Sequence, residues 1–360
     1  MSPPTPLALL VCDTPIPSVL SNHGTYHTIF HKLLSDSYPF PHKPSVVRTR
    51  EPEVGTAVEE PRVERPILEV PTQEPNEEGL KSILKTPSPS RPSLDLEEDA
   101  GPFVLDAYNV FDGEYPSEDE VDRYKGILIS GSAASAYENV DWINALIDYV
   151  GTIAKTKPAI KLIGICFGHQ IIARALSGTC VPNSGRWEVG PTSVDLSDVG
   201  REVFGVGRFN IEQFHRDHVP SVPPHFEAIG STGLTPNQGM VLFYRREGGT
   251  ALVREESGGS MEKGNSGASA NGNTRALTNG TSKSDTSPRR SLNDIQILTL
   301  QGHPEFTDGI VEHIIEARAS VGVLDKPTTE DARRRVGEGW RNDGVGVIGR
   351  VIWGVLGVEV

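Results

Sequence analysis

Residues 159–178, AIKLIGICFGHQIIARALSG, constrain the fold more than any other stretch of the chain. The first part is a continuous apolar run without polar alternation, which suits a strand buried on both faces. The second part places Ile171, Ile172, Ala175 and Leu176 on one face at helical spacing. This handover from strand to helix recurs. LALLVCD precedes the amphipathic TYHTIFHKLL, and YKGILIS precedes DWINALIDYVGTIAK, where Ile143, Leu146, Ile147 and Val150 share a face. FVLDAYNVF and IQILTLQGHPEF read as further strands, with a helix in GIVEHIIEARAS and a charged helix between Asp325 and Asp343. RFNIEQF, HFEAIGST and GMVLFY are shorter strand-like pieces. Strands alternating with helices imply an α/β fold with a mainly parallel sheet covered on both faces, and such sheets place their chemistry at the carboxyl ends of strands.

Two stretches break the pattern. Residues 39–100 are rich in Pro, Glu, Ser and Arg, and residues 247–292 in Gly, Ser, Asn and Thr. Neither carries enough apolar surface to offset the entropy of ordering it, so both are expected to be disordered insertions in a single domain spanning 1–360. Thr86, Ser88 and Ser287 are each followed by proline, a pattern that kinases read, although a soluble spacer accounts for these segments as well. The C-terminal VGVIGRVIWGVLGVEV is shorter than a membrane span and is interrupted by Arg350, so it reads as a core-packing or docking segment.

Composition narrows the partners. A net charge of −14 with no basic cluster argues against nucleic acid and anionic membranes. Cys12, Cys166 and Cys180 are too few and too scattered for a disulfide framework or a closely spaced metal motif. Cys12 and Cys180 read as small buried hydrophobes. The opening residues lack a basic start and a long apolar run, so the expected location is the cytoplasm or the nucleocytoplasm.

The sharpest local signal is GICFGH. A nucleophile on a strand-to-helix turn needs small neighbours, and Gly164 and Gly168 flank Cys166 at −2 and +2. A helix beginning at the cysteine would favour thiolate through its free N–H groups. Taken alone, this pattern reads equally as a tight core turn. QGHPEF changes the balance, because it ends another apolar strand and supplies the complementary groups. His303 is a candidate base, and Glu305, two residues on, is a candidate to hold the imidazole tautomer. An acyl-transfer site also needs two convergent backbone N–H groups for the oxyanion. Phe167 offers one. Gly131, at the end of ISGS, offers the other, with a structural turn as its rival reading.

GICFGHQ together with QGHPEF resembles the class I glutamine amidotransferase family. ISGS, DWI, RWEVG and FHRDHV resemble its stand-alone branch, related to GMP synthase amidotransferase domains and γ-glutamyl peptidases. The resemblance covers residues 7–37, 103–246 and 294–354. It implies a flavodoxin-like sheet and a Cys166–His303–Glu305 triad, with Gly131 and Phe167 at the oxyanion hole and Gln170 in the glutamine pocket. It also puts His215 and Asp217 on a pocket loop and Glu188 against a substrate ammonium, a loop salt bridge being the other reading of Glu188. Where many members have Gly-Gly-Pro or Gly-Ser-Pro, this chain has Gly131, Ser132 and Ala133, which loosens the placement of the second oxyanion donor. A zinc site at His215, Asp217 and His218 is the weaker reading of HRDHV.

The implied chemistry is hydrolysis of the L-glutamine γ-amide through a γ-glutamyl thioester, with no metal or organic cofactor. The alternatives are a γ-glutamyl peptidase acting on glutathione-like substrates and a non-catalytic scaffold. Because no synthetase domain is recognisable, an amidotransferase of this kind would pass ammonia to a separate synthetase subunit.

Overall fold

The computed structural model describes residues 3–40, 101–244 and 290–360. Residues 1–243 and 291–360 group into one unit and residues 244–290 into a second, and every element below belongs to the first. Most of the two expected insertions therefore lies outside the described residues, as do Thr86, Ser88 and Ser287.

The apolar runs are strands β1 (Thr5–Val11), β2 (Phe103–Asn109), β3 (Gly126–Ile129), β4 (Lys161–Ile165) and β12 (Ile295–Leu300). They form the parallel part of a seven-stranded sheet of order β2-β1-β3-β4-β12-β11-β9. Two further strands, β11 (Gly239–Phe243) and the edge strand β9 (Glu227–Ala228), are added by antiparallel pairing. The five parallel strands have the flavodoxin-like 2-1-3-4-5 order, as expected.

Side-chain alternation explains why these strands carry no polar face. Leu7, Leu9, Leu128, Ile163, Ile165 and Leu298 point into one core, while Ala8, Leu10, Ile127, Ile129, Leu162 and Ile297 point into the other. The first core is covered by α2 (Tyr26–Ser37), through Phe30 and Leu34, and by α9 (Arg350–Val355), through Ile352 and Trp353. The second is covered by α4 (Asp141–Thr156), through Ile143, Leu146 and Val150, and by α5 (Phe167–Ala175), through Ile171 and Ile172. Ile147, Ala175 and Leu176 are only half-buried at the margin of that core.

Beyond α5 come the short strands β5 (Val181–Pro182) and β8 (Asp217–His218), which pair with each other. A separate antiparallel sheet, β10-β6-β7, is built from β10 (Gly230–Ser231), β6 (Glu188–Leu196) and β7 (Arg208–His215). Three short helices had no periodic signal to announce them: α1 (Pro17–His23), α3 (Glu118–Val121) and α6 (Asp198–Phe204). Their starts carry local reasons instead. Pro17 occupies the first turn of α1, Ser117 and Glu120 form a capping box, and the Ser197 hydroxyl accepts from Gly200 N–H.

After α7 (Asp308–Ser320) and the charged α8 (Lys326–Gly337), the C-terminal segment forms a π-helix, Gly344–Gly349, that runs into α9. It packs into the core: Trp353 is fully buried and donates its indole N–H to Leu34 O at 2.9 Å. Gly344 lies against the Pro304 carbonyl, so this segment backs the HPEF turn. No helix among the described residues is long and apolar enough to cross a membrane.

Candidate active site

Cys166 sits at the carboxyl end of β4 and is the N-cap of α5, with φ 50° and ψ −102°. Side chains rarely adopt this backbone, and holding one there costs on the order of 1–3 kcal/mol. The two glycines make the turn sterically feasible. A Cβ on Gly164 would lie 2.6 Å from Gly168 O, and one on Gly168 would lie 2.9 Å from Ile129 Cβ. Cys166 N–H donates to Leu300 O at 2.8 Å, which fastens the turn to the end of β12.

The same strand end delivers His303, whose N–H donates to Glu212 O at 2.8 Å. Its imidazole Nδ1 is 2.8 Å from Glu305 Oε1, and both side chains are buried. Phe306 stacks on the imidazole at 4.0 Å and 4°. Burial works against the imidazolium. The charges of Glu305 and Cys166, with the hydrogen bond to Glu305, outweigh it and raise the His303 pKa. The arrangement is that of an imidazolium between a carboxylate and a sulfur.

Gly131 closes the third side. A Cβ there would fall 2.8 Å from His303 Cε1 and 3.7 Å from Cys166 Cβ, so no side chain fits without moving the pair. Its carbonyl accepts from Ser130 Oγ at 3.0 Å, and the loop beyond is held by Asp13 Oδ2, which accepts from Ala133 N–H at 2.7 Å and Ser132 Oγ at 3.4 Å. Phe167, the first residue of α5, has an N–H with no acceptor inside the helix. Its ring is locked by stacking on Trp142 at 5.5 Å. The two expected oxyanion donors thus flank Cys166.

The remaining expected residues form a buried polar network. Gln170 Nε2 donates to Asp217 O at 3.0 Å and to Gln301 Oε1 at 3.2 Å. Asp217 Oδ2 accepts from Ser135 Oγ at 2.7 Å, and His215 Nδ1 lies 3.1 Å from Asp217 O. Glu188 corrects the loop reading, because it begins β6 and faces His215 across the β6–β7 register. Its Oε2 is 3.1 Å from His215 Nε2 and accepts from Gln238 Nε2 at 2.7 Å, while Oε1 accepts from Thr232. Burial opposes its ionisation, but the His215 and Thr232 contacts hold its carboxyl below the usual range. Both Glu188 oxygens are thus engaged by protein groups. His215, Asp217 and His218 do not converge on a metal position, and no such group of ligands occurs among the described residues.

Three contributors were not assigned from the sequence. Asp13 closes the first apolar run but carries no motif. Gln301 lies inside QGHPEF without a stated role. Tyr26, on α2, had no signal at all: it is half-buried against the core, and its phenol is pushed upward by burial and then by the charges of Asp13, Glu305 and Cys166.

Comparison with known proteins agrees with this architecture. Residues 107–241 match the glutamine amidotransferase class-I family, a span that contains Cys166 but ends before His303. A glutamine amidotransferase-like protein of Schizosaccharomyces pombe is 30% identical over 235 residues, 65% of this chain and 74% of that one. A Saccharomyces cerevisiae protein named as a glutamine amidotransferase is 35% identical over 132 residues, 36% of this chain and 51% of that protein. Gamma-glutamyl peptidase 3 of Arabidopsis thaliana is 42% identical over 134 residues, 35% of this chain and 53% of the peptidase. The chain thus spans about half the length of the latter two. With its parallel sheet, glycine-flanked cysteine turn and these relatives, the chain belongs to the class I glutamine amidotransferase family.

Proposed function

We propose that the protein hydrolyses the γ-amide of L-glutamine to glutamate and ammonia through a γ-glutamyl thioester on Cys166. The observation that carries this reading is the buried His303–Glu305 pair, 2.8 Å apart, beside a cysteine in a positive-φ turn. Cys166 sulfur attacks the γ-carbonyl carbon, and the charge on its oxygen is met by the Gly131 and Phe167 N–H groups. The imidazolium of His303 gives its proton to the departing nitrogen, and the C–N bond breaks to leave the thioester. Neutral His303 then takes a proton from water as water attacks, and the C–S bond breaks to release glutamate. Glu305 keeps the imidazole oriented throughout. Gln170, His215 and Asp217 shape the pocket wall, and Glu188 acts through its pairing with His215. A separate synthetase subunit is the expected recipient of the ammonia.

The γ-glutamyl peptidase among the relatives supports a second reading, in which the same chemistry cleaves a γ-glutamyl amide of a glutathione-like substrate. Incubating the protein with L-glutamine and, separately, with glutathione, with glutamate measured by mass spectrometry, separates the two. Ammonia and glutamate from glutamine, lost in Cys166→Ala, is the expected result. Cysteinylglycine from glutathione with little glutamine turnover moves the assignment to the peptidase. A cellular role that survives Cys166→Ala identifies a scaffold instead.

A further inference from the structure

The Gln301 side chain is fully buried and its Nε2 lies 3.6 Å from Cys166 Sγ, within hydrogen-bonding reach of sulfur. The direction of this contact is fixed by a chain of partners. The backbone carbonyl of Asp217 can only accept, so the Gln170 end facing it at 3.0 Å is the NH2. That same NH2 meets Gln301 at 3.2 Å, which requires the oxygen end of Gln301. The NH2 of Gln301 is then left to face sulfur. The reversed arrangement would set two NH2 groups against each other and a carbonyl against a thiolate, in a site where Gln170 is 3% and Cys166 4% exposed.

We infer that Gln301 is a catalytic residue, a side-chain donor to the Cys166 sulfur whose orientation is set by Gln170 and the Asp217 carbonyl. This deepens the proposed thioester chemistry and rests on it. A donor at sulfur favours the thiolate over the thiol and over the thioester, because charge-assisted hydrogen bonds are stronger than neutral ones. It therefore acts twice, once when sulfur is the attacking anion and again when sulfur leaves with the C–S electron pair as water's oxygen bonds to the acyl carbon. Gln170 is accordingly a positioning residue as well as a pocket residue.

The test reads the cysteine without turnover. The rate of iodoacetamide modification of Cys166 is followed against pH by peptide mass spectrometry in the full chain, in Gln301→Met and in Gln170→Met. Loss of the Gln301 donor is expected to move the midpoint of the profile upward and to slow modification at neutral pH about tenfold, with kcat for glutamine falling more than KM rises. Gln170→Met should move the midpoint the same way by a smaller amount, and it serves alone if Gln301→Met does not fold. An unchanged midpoint in a folded variant overturns the inference even if turnover falls. A shifted midpoint in a protein that hydrolyses neither glutamine nor glutathione keeps the role of Gln301 and removes the proposed substrate.

Discussion

Cys12 and Cys166 occupy equivalent places, each at the carboxyl end of a central parallel strand with only β3 between those strands. Exposure does not separate them, since Cys12 is 0% and Cys166 4% exposed. What differs is the backbone and the company. Cys12 lies beyond β1 in ordinary backbone, its N–H bonded to Ser130 Oγ at 2.9 Å and its Sγ 3.6 Å from Leu10 O. Burial pushes its thiol up to about 12. Cys166 has the positive φ, the helix N-terminus behind it, the His303 imidazole across Gly131 and Gln301 beside it. A strand end supplies position, and chemistry follows only where the turn and its neighbours provide donors and a base.

The largest effect that can break this contrast is alkylation selectivity. In the native protein Cys166 should react with iodoacetamide at neutral pH while Cys12 and Cys180, both pushed up to about 12 chiefly by burial, react about a thousandfold more slowly. The linkage sign gives a second check. A thiol raised in the folded state stays protonated while its unfolded counterpart ionises, so stability falls as pH climbs from the unfolded value near 9.0 toward about 12. Raising the pH from 9 to 11 should change modification of Cys12 in urea-unfolded chains by only about twofold, because that thiol is already half ionised, and should keep speeding it in native ones, whose thiol ionises only near about 12. Equal labelling of Cys12 and Cys166 in the native protein would erase the distinction.

Gly168→Ala attacks the turn itself. The new methyl would press on Ile129 at the end of β3, 2.9 Å from its Cβ, and drive α5 away from the Gly131 loop. Loss of glutamine turnover by about a hundredfold is expected, in line with the cost of misplacing an oxyanion donor. Calorimetry on the same sample distinguishes a displaced helix, with a modest fall in Tm, from global unfolding. Activity near that of the native protein would mean that the glycine spacing does not build the site.

These tests bear on how far the residues could be read in advance. The central parallel strands were legible because they are apolar on both faces, and Cys166, His303 and Glu305 because each follows such a run within a short motif. Glu188 could be read only as a substrate contact or a loop salt bridge, because its strand alternates weakly and its partners, Thr232 and Gln238, lie more than forty residues away in sequence. The same limit hid Asp13, whose bond to Ala133 spans 120 residues, and Tyr26, which reaches the site only through the packing of α2. Short helices escaped because capping residues, not periodicity, mark them. Local chemistry is written in motifs, whereas the groups that tune it are brought together by the sheet.

Ser130 offers the smallest effect and the most direct link between the two cysteines. Its hydroxyl accepts from Cys12 N–H at 2.9 Å and donates to Gly131 O at 3.0 Å, so one side chain secures the inert cysteine and orients the loop beside the reactive one. Ser130→Ala leaves the Cys12 N–H buried without an acceptor, which should cost about 1–3 kcal/mol of stability in chemical denaturation. The Gly131 peptide loses its tether at the same time, so kcat should fall a few-fold while alkylation of Cys166 is little changed, because the sulfur keeps His303 and Gln301. If stability falls and kcat does not, the Asp13 contacts alone hold the loop. If Cys166 alkylation slows together with kcat, the two strand ends are coupled more tightly than their separate hydrogen bonds imply.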